Sequence, residues 1–189
     1  MSSLLAPGLL VAAPPLGDPN FDQSVVLLAA HGPEGAFGWV INGRDVMTLE
    51  ELLERVEMKS GKSRPLRGHV RLGGPVAQEQ VWLVYRTEDK IVGVDEQFDI
   101  GCGITASPSR RMLEALADGS APESLVGLLG YAGWAPSQLE NEIRGGAWLP
   151  TDADASLVFD VPRHEVWTQA YERLGATPIA FTSRTVGSA

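Results

Sequence analysis

Cysteine is almost missing from this sequence: 189 residues contain one, Cys102. A lone thiol cannot close an internal disulfide, so the fold must rest on its core, and a reducing compartment suits it. Long hydrophobic runs are lacking as well. The best, Val25 to Ala30, falls far short of the roughly 20 apolar residues that a bilayer-spanning helix needs. Histidine occurs three times, as His31, His69 and His164, never in H-x-x-x-H or H-E-x-x-H spacing, so no metal site is expected. Positive charge is in deficit: 15 Lys and Arg against 24 Asp and Glu leave a net charge of −9. Nucleic-acid affinity comes mainly from basic residues that release phosphate counterions, so direct nucleic-acid binding is disfavoured. The apolar start, Met1 to Pro15, has no Lys or Arg ahead of it and is broken by Pro7, Pro14 and Pro15, which makes it a poor secretory signal. A cytoplasmic protein without membrane segment, metal or cofactor is expected.

What is present describes an ordinary globular chain, 44% hydrophobic and 21% charged. Its length fits a single domain spanning 1–189, with a core over about 7–175 and short flexible termini. Gln23 to His31 reads as a buried strand, closed by the turn formers Gly32 to Gly35 and followed at hairpin distance by a strand from Ala36 to Ile41. Leu49, Leu52, Leu53 and Val56 repeat at helical spacing behind a capping box, Thr48 with Glu51. Short strands are predicted at Val70–Leu72, Val81–Tyr85 and Ile91–Val94. A helix is predicted from Ser107 to Asp118, with Pro108 in its first turn and Gly119 as its stop, and another from Arg163 to Leu174. Strands in runs with single helices between them indicate an α+β fold.

Catalytic motifs mostly fail. Gly101-Cys102-Gly103-Ile104-Thr105-Ala106 has the spelling of a dinucleotide fingerprint, but the predicted helix opens only after it, and acidic residues precede it. Gly61-Lys62-Ser63 lacks the first glycine of a P-loop, since position 56 is Val56. No G-x-S-x-G elbow occurs. Cys102 has no neighbour that would lower its pKa and is expected to be a small buried thiol. The basic stretch Lys59 to Arg67 reads as a solvated loop.

The most informative segment is Tyr131 to Trp148, YAGWAPSQLENEIRGGAW. Pro136 fits the first turn of a short amphipathic helix whose stripe is Leu139 and Ile143, ended by Gly145-Gly146. Glu140 and Glu142 lie roughly 200° apart around such a helix, so they cannot form a carboxylate dyad. Glu140 is expected to face Arg144, and Gln138 to face Glu142, each at i+4. Gln138 and Glu142, flanked by Trp134 and Trp148, could form a recognition surface; alternatively both tryptophans are core and the polar pair holds neighbouring loops.

This segment also resembles the signature of the YqgE/AlgH family of small bacterial proteins. The stretch from Leu10 to Phe21, then Ser24 to Leu28 with His31, resembles the family's opening. Gly35 to Asn42, Gly73-Gly74-Pro75-Val76, and Leu157-Val158-Phe159 with Trp167 and Leu174-Gly175 follow in the family's order. Three positions depart from the pattern: Gly43-Arg44-Asp45 follows Asn42 in place of Arg-Pro, Val84-Tyr85 stands in place of Leu-His, and Ser137 occupies a position that is usually glycine. Serine is tolerated there if that residue has ordinary helical dihedrals. The resemblance implies a barrel-like, bifurcated, mostly antiparallel sheet flanked by helices. It implies little about function, since the family is largely uncharacterised and its regulatory name rests on a link to transcription of exopolysaccharide genes.

Three function classes follow. The preferred one is a non-catalytic module that binds a small molecule or a protein partner and acts indirectly on regulation, with a monomer favoured. The second is a transcriptional regulator contacting DNA directly. The third is a hydrolase using His31 as base, with Asp18 to orient it. The candidate ligand-binding residues are Asp18, His31, Asn42, Gly74, Trp134, Gln138 and Glu142, of which at least four are expected to line one cavity.

Overall fold

The computed structural model describes residues 5–14, 22–61 and 66–175. The strands are β1 (Gly8–Ala12), β2 (Val25–Gly32), β3 (Gly35–Val40), β4 (Asp45–Thr48), β5 (His69–Leu72), β6 (Val76–Arg86), β7 (Phe98–Gly101), β8 (Ile104–Ser107), β9 (Val126–Trp134) and β10 (Trp148–Asp152). The helices are α1 (Leu49–Arg55), α2 (Arg110–Asp118), α3 (Gln138–Arg144), α4 (Ala155–Phe159) and α5 (Val166–Arg173). The fold is α+β, and its strands pair antiparallel except β5 with β9. The chain forms two compact units, one from Met1–Asn42 with Ala132–Ala189, the other from Gly43–Tyr131.

In the first unit β10, β1, β2, β3 and the last residues of β9 lie side by side. All five residues of β1 and the first four of β2 are buried, so this sheet is covered on both faces rather than alternating with solvent. One face carries Leu10, Val26, Leu28, Ala36, Trp134 and Trp148, packed against Leu139 of α3. Helix α5 packs on β1 and β2, where the Trp167 indole N–H donates to the Ala12 carbonyl at 2.9 Å. The β2–β3 hairpin matches its predicted place.

In the second unit β9 pairs with β6 on one side and β5 on the other. Helix α1 buries Leu49, Leu52 and Leu53 against Met47, Val70 and Leu116. Its capping box is present in both directions: the Thr48 Oγ1 accepts from the Glu51 N–H at 3.1 Å, and the Glu51 carboxylate accepts from the Thr48 N–H at 2.7 Å. Gly130 has to be glycine. Its φ of +71° is left-handed, and a Cβ there would lie 2.7 Å from the carbonyl oxygens of both Gly74 and Val76.

Several expectations need correction. Ile91 to Val94 is not a strand; the Gln97 amide donates to the carbonyls of Ile91 and Val94 at 2.8 Å each, occupying groups a ladder would use. The same Gln97 accepts from the Tyr85 hydroxyl at 2.6 Å, and burial pushes that phenol up to about 12. Helix α2 begins at Arg110, not Ser107. Ser107 is the last residue of β8, because a residue before proline is driven to extended backbone, and Ser109 then caps the helix through its hydroxyl. Cys102 is exposed, not buried: Gly101-Cys102-Gly103 is the tip of the β7–β8 hairpin, with Cys102 at a φ of +52°. The final helix is shorter than predicted, and α4 precedes it, capped by Asp154. Replacement Thr48→Ala, which removes the cap of α1, is expected to lower stability by about 1 kcal/mol in urea unfolding.

Candidate functional site

The register of the first unit lines up the site. His31 of β2 pairs with Ala36 of β3, and Ala36 pairs with Trp134 of β9. Residues in one row of a sheet point to the same face, here the face that α3 covers. His31 therefore meets α3 from below. Its side chain is only 5% exposed, and its Nε2 lies 3.1 Å from Glu140 Oε1. Its other nitrogen, Nδ1, accepts the Leu5 backbone N–H at 3.3 Å. With Nδ1 accepting, the neutral ring carries its proton on Nε2 and donates it to Glu140, a tautomer assigned from the partners.

Glu142, two residues on, leaves α3 on the other side. Its Oε2 accepts from the indole N–H of Trp134 at 2.8 Å and of Trp148 at 2.9 Å, and its Oε1 accepts from the Gln138 amide at 2.9 Å. Gln138 in turn accepts the Ala135 N–H at 3.0 Å. The two indoles meet edge to face, with centroids 5.9 Å apart. Both tryptophans are buried, so their N–H groups would be costly to leave unpaired, and the half-buried carboxylate would be costly without donors. Each solves the other's problem.

Glu140 is the member that sequence reasoning missed. It was expected to face Arg144; instead it meets His31, and Arg144 donates to Asn141. Its own backbone N–H, then the His31 imidazole and the Arg144 charge, hold the Glu140 carboxyl below its usual value, against an opposing desolvation effect. A lowered carboxylate contributes stability above its unfolded pKa and loses it as pH falls through the lower folded value. The partner lies 109 residues away, beyond the reach of any local pattern.

The other candidates are placed as follows. Asn42 sits beyond the far end of the hairpin from His31, six residues past its register partner Ala36 and so roughly 20 Å along it at about 3.4 Å per residue. There its Oδ1 accepts the Val25 N–H at 2.8 Å and its amide donates to the Gln23 carbonyl at 2.9 Å, fixing the entry into β2. Gly74 belongs to the second unit, its carbonyl close to Gly130. Asp18 lies outside the described residues, as do Lys62 to Pro65 of the basic loop. Trp134, Gln138 and Glu142 are thus joined directly, and His31 joins their helix through Glu140. Trp148 completes the cluster.

Ser137 does not meet the condition of ordinary helical dihedrals. Pro136 stands before the helix rather than in its first turn, and Ser137 caps α3 with a φ of 63° and ψ of 0°, left-handed rather than helical, with no side-chain hydrogen bond to the helix. An L-residue with a Cβ is strained there, which is why glycine suits the position. A separate cavity of about 580 Å³ lies in the second unit, lined by α1 and the turn after it, including Leu53, Met58, Glu50, Glu54 and Glu57. Among the described residues no group of three or more His, Cys, Asp and Glu could hold a metal ion, and no helix is long and apolar enough to cross a membrane.

Replacing Glu142 by Ala strands two buried indole donors and is expected to cost about 2–4 kcal/mol in urea unfolding, while Glu142→Gln, which keeps an acceptor oxygen, costs less. Ser137→Gly relieves the left-handed strain and is expected to raise stability by roughly 0.5–1 kcal/mol in the same assay.

Comparisons with known proteins bear on this geometry. Residues 9–179 match the model of a family described as AlgH-like. A UPF0301 protein of Anaeromyxobacter sp. strain Fw109-5 is 42% identical over 94% of this chain and 92% of its own length. One of Ruegeria pomeroyi is 35% identical over 88% and 90%. The solution structure of the AlgH protein from Pseudomonas aeruginosa superposes with a TM-score of 0.74 at 32% identity, covering 100% of this chain and 98% of that one. A Corynebacterium diphtheriae protein superposes at 0.70 with 25% identity, over 89% and 86%. Together, a family model that spans most of the chain and relatives alike along nearly their full length show that the chain belongs to the AlgH-like family.

Proposed function

We propose that this protein is a non-catalytic cytoplasmic module that binds a small molecule or a protein partner and acts on regulation indirectly. The observation that supports this reading is the commitment of the candidate site's polar groups to one another. A general base needs a free lone pair within reach of a substrate proton, and the His31 Nδ1 lone pair is taken by the Leu5 N–H. The Glu142 carboxylate is engaged by three donors, which suits holding a shape rather than moving a proton.

Ligand binding has a separate place to occur. The 580 Å³ cavity along α1 has the size usual for small-molecule sites and is lined by Leu53 and Met58, by three carboxylates, Glu50, Glu54 and Glu57, and by one cation, Lys59, with Ser60. Its chemistry favours a cationic ligand with an apolar part. The regulatory role comes from the family resemblance, and the net charge of −9 favours an indirect one over direct contact with DNA.

The test is a thermal-shift screen of a metabolite library that includes polyamines, run on the wild type and on Met58→Lys, which sets a positive charge against a cationic ligand. A ligand at about 100 times its Kd contributes roughly 2.7 kcal/mol, which raises Tm by about 5–10 °C in a chain of this size. The expected result is such a shift in the wild type that is lost in Met58→Lys. A parallel hydrolase-substrate screen guards the other side: turnover that disappears in His31→Ala overturns the non-catalytic reading.

A further inference from the structure

The His31 clip has a chemical asymmetry that bears on pH. Its imidazole is buried and holds two elements at once, the segment before β1 through Leu5 and helix α3 through Glu140. The two bonds need different things of the ring. The bond to Glu140 uses a ring N–H as donor and persists, strengthened by charge, when the ring becomes an imidazolium. The bond from Leu5 uses the Nδ1 lone pair. Once Nδ1 takes a proton from solvent, the ring has no acceptor left, and two N–H donors face each other at 3.3 Å.

We propose that His31 is a pH-sensitive clip whose protonation releases Leu5 and Ala6, just ahead of β1, while keeping its hold on α3. Leu5 and Ala6 pack against the first unit's core alongside Ile143 and Ala147, so their release uncovers apolar surface on that face. The groups around the ring decide the sign. From α3 the facing group is Glu140, ionised across the range in which histidines titrate, with Arg144 one turn on acting on Glu140. From β3 the register partner is Ala36, and from the N-terminal segment it is Leu5; neither titrates. Glu34, in the turn that follows His31, is exposed. Among the described residues the charge that faces the ring is thus a carboxylate, and the bond to it survives protonation of the ring while the bond from Leu5 does not. This device does not depend on a ligand, and its test is separate from that of the binding reading.

The measurement is nuclear magnetic resonance of the full chain between pH 8 and pH 5, following amide exchange protection of Leu5 and the ring nitrogen shifts of His31. The expected result is a loss of Leu5 protection of roughly tenfold or more, beyond the intrinsic pH dependence of exchange, with the midpoint at which the ring takes its second proton. In Glu140→Gln the same loss is expected at lower pH, because the imidazolium has lost its counter-charge. In His31→Gln, which cannot titrate, Leu5 protection should not follow this curve. Leu5 protection that survives ring protonation in the wild type overturns the proposal, whatever the variants do. So does an identical pH-dependent loss in His31→Gln.

Discussion

The first unit depends on one carboxylate. Glu142 accepts from an indole at the end of β9, from another at the start of β10 and from the amide at the start of α3. Two Trp side chains bury on the order of 200 Å² each, worth about 5 kcal/mol apiece as area removed from water, but each brings an N–H that must be paired to keep that gain. A carboxylate is a demanding way to supply the acceptor, since its own desolvation must be offset by donors. The arrangement closes because the two needs meet at one oxygen. Its net contribution is smaller than the loss on breaking it, which is the usual asymmetry of buried polar groups.

The geometry of α3 follows from that tie. Glu140 and Glu142 leave the helix on different sides, so one carboxylate serves the indoles and the other is free to reach His31. Leu139 between them points into the core at 1% exposure and fixes the helix rotation that makes both contacts possible. The left-handed Ser137 is the cost of starting a helix so soon after β9. Two residues that spell an acid pair in the sequence thus have separate structural duties, and neither is set up for shared proton transfer.

The second unit shows how a motif can be spelled without its context. Gly101-Cys102-Gly103 satisfies the pattern of a phosphate-binding loop, yet the chain around it is strand on both sides, with Asp99 paired to Thr105 and Gly101 to Ile104. The glycines serve a hairpin turn with positive φ at three successive residues. No helix N-terminus is present to meet a phosphate, so the electrostatic part of the motif is missing. The thiol is exposed because hairpin tips are exposed, a property of topology rather than of the cysteine's apolar character.

The sequence by itself determined what depends on near neighbours. The capping box of α1, the stop at Gly119, the β2–β3 hairpin and the Gln138–Glu142 pair are all interactions within a few residues, and periodicity or propensity exposes them. It also fixed the α+β class, through the order of strand-like and helix-like segments. The tertiary structure alone decided what depends on distant partners. That Glu140 answers to His31 rather than Arg144, that Trp148 shares a carboxylate with Trp134, and that Asn42 locks the entry to β2 rather than joining the other candidates all follow from strand register. Register is a global property: it is set by which faces are buried and by which strands lie side by side. A one-residue slip would turn His31 away from α3. No local pattern in the chain carries that information, because local energies are nearly equal for both alignments and only packing of the whole sheet separates them.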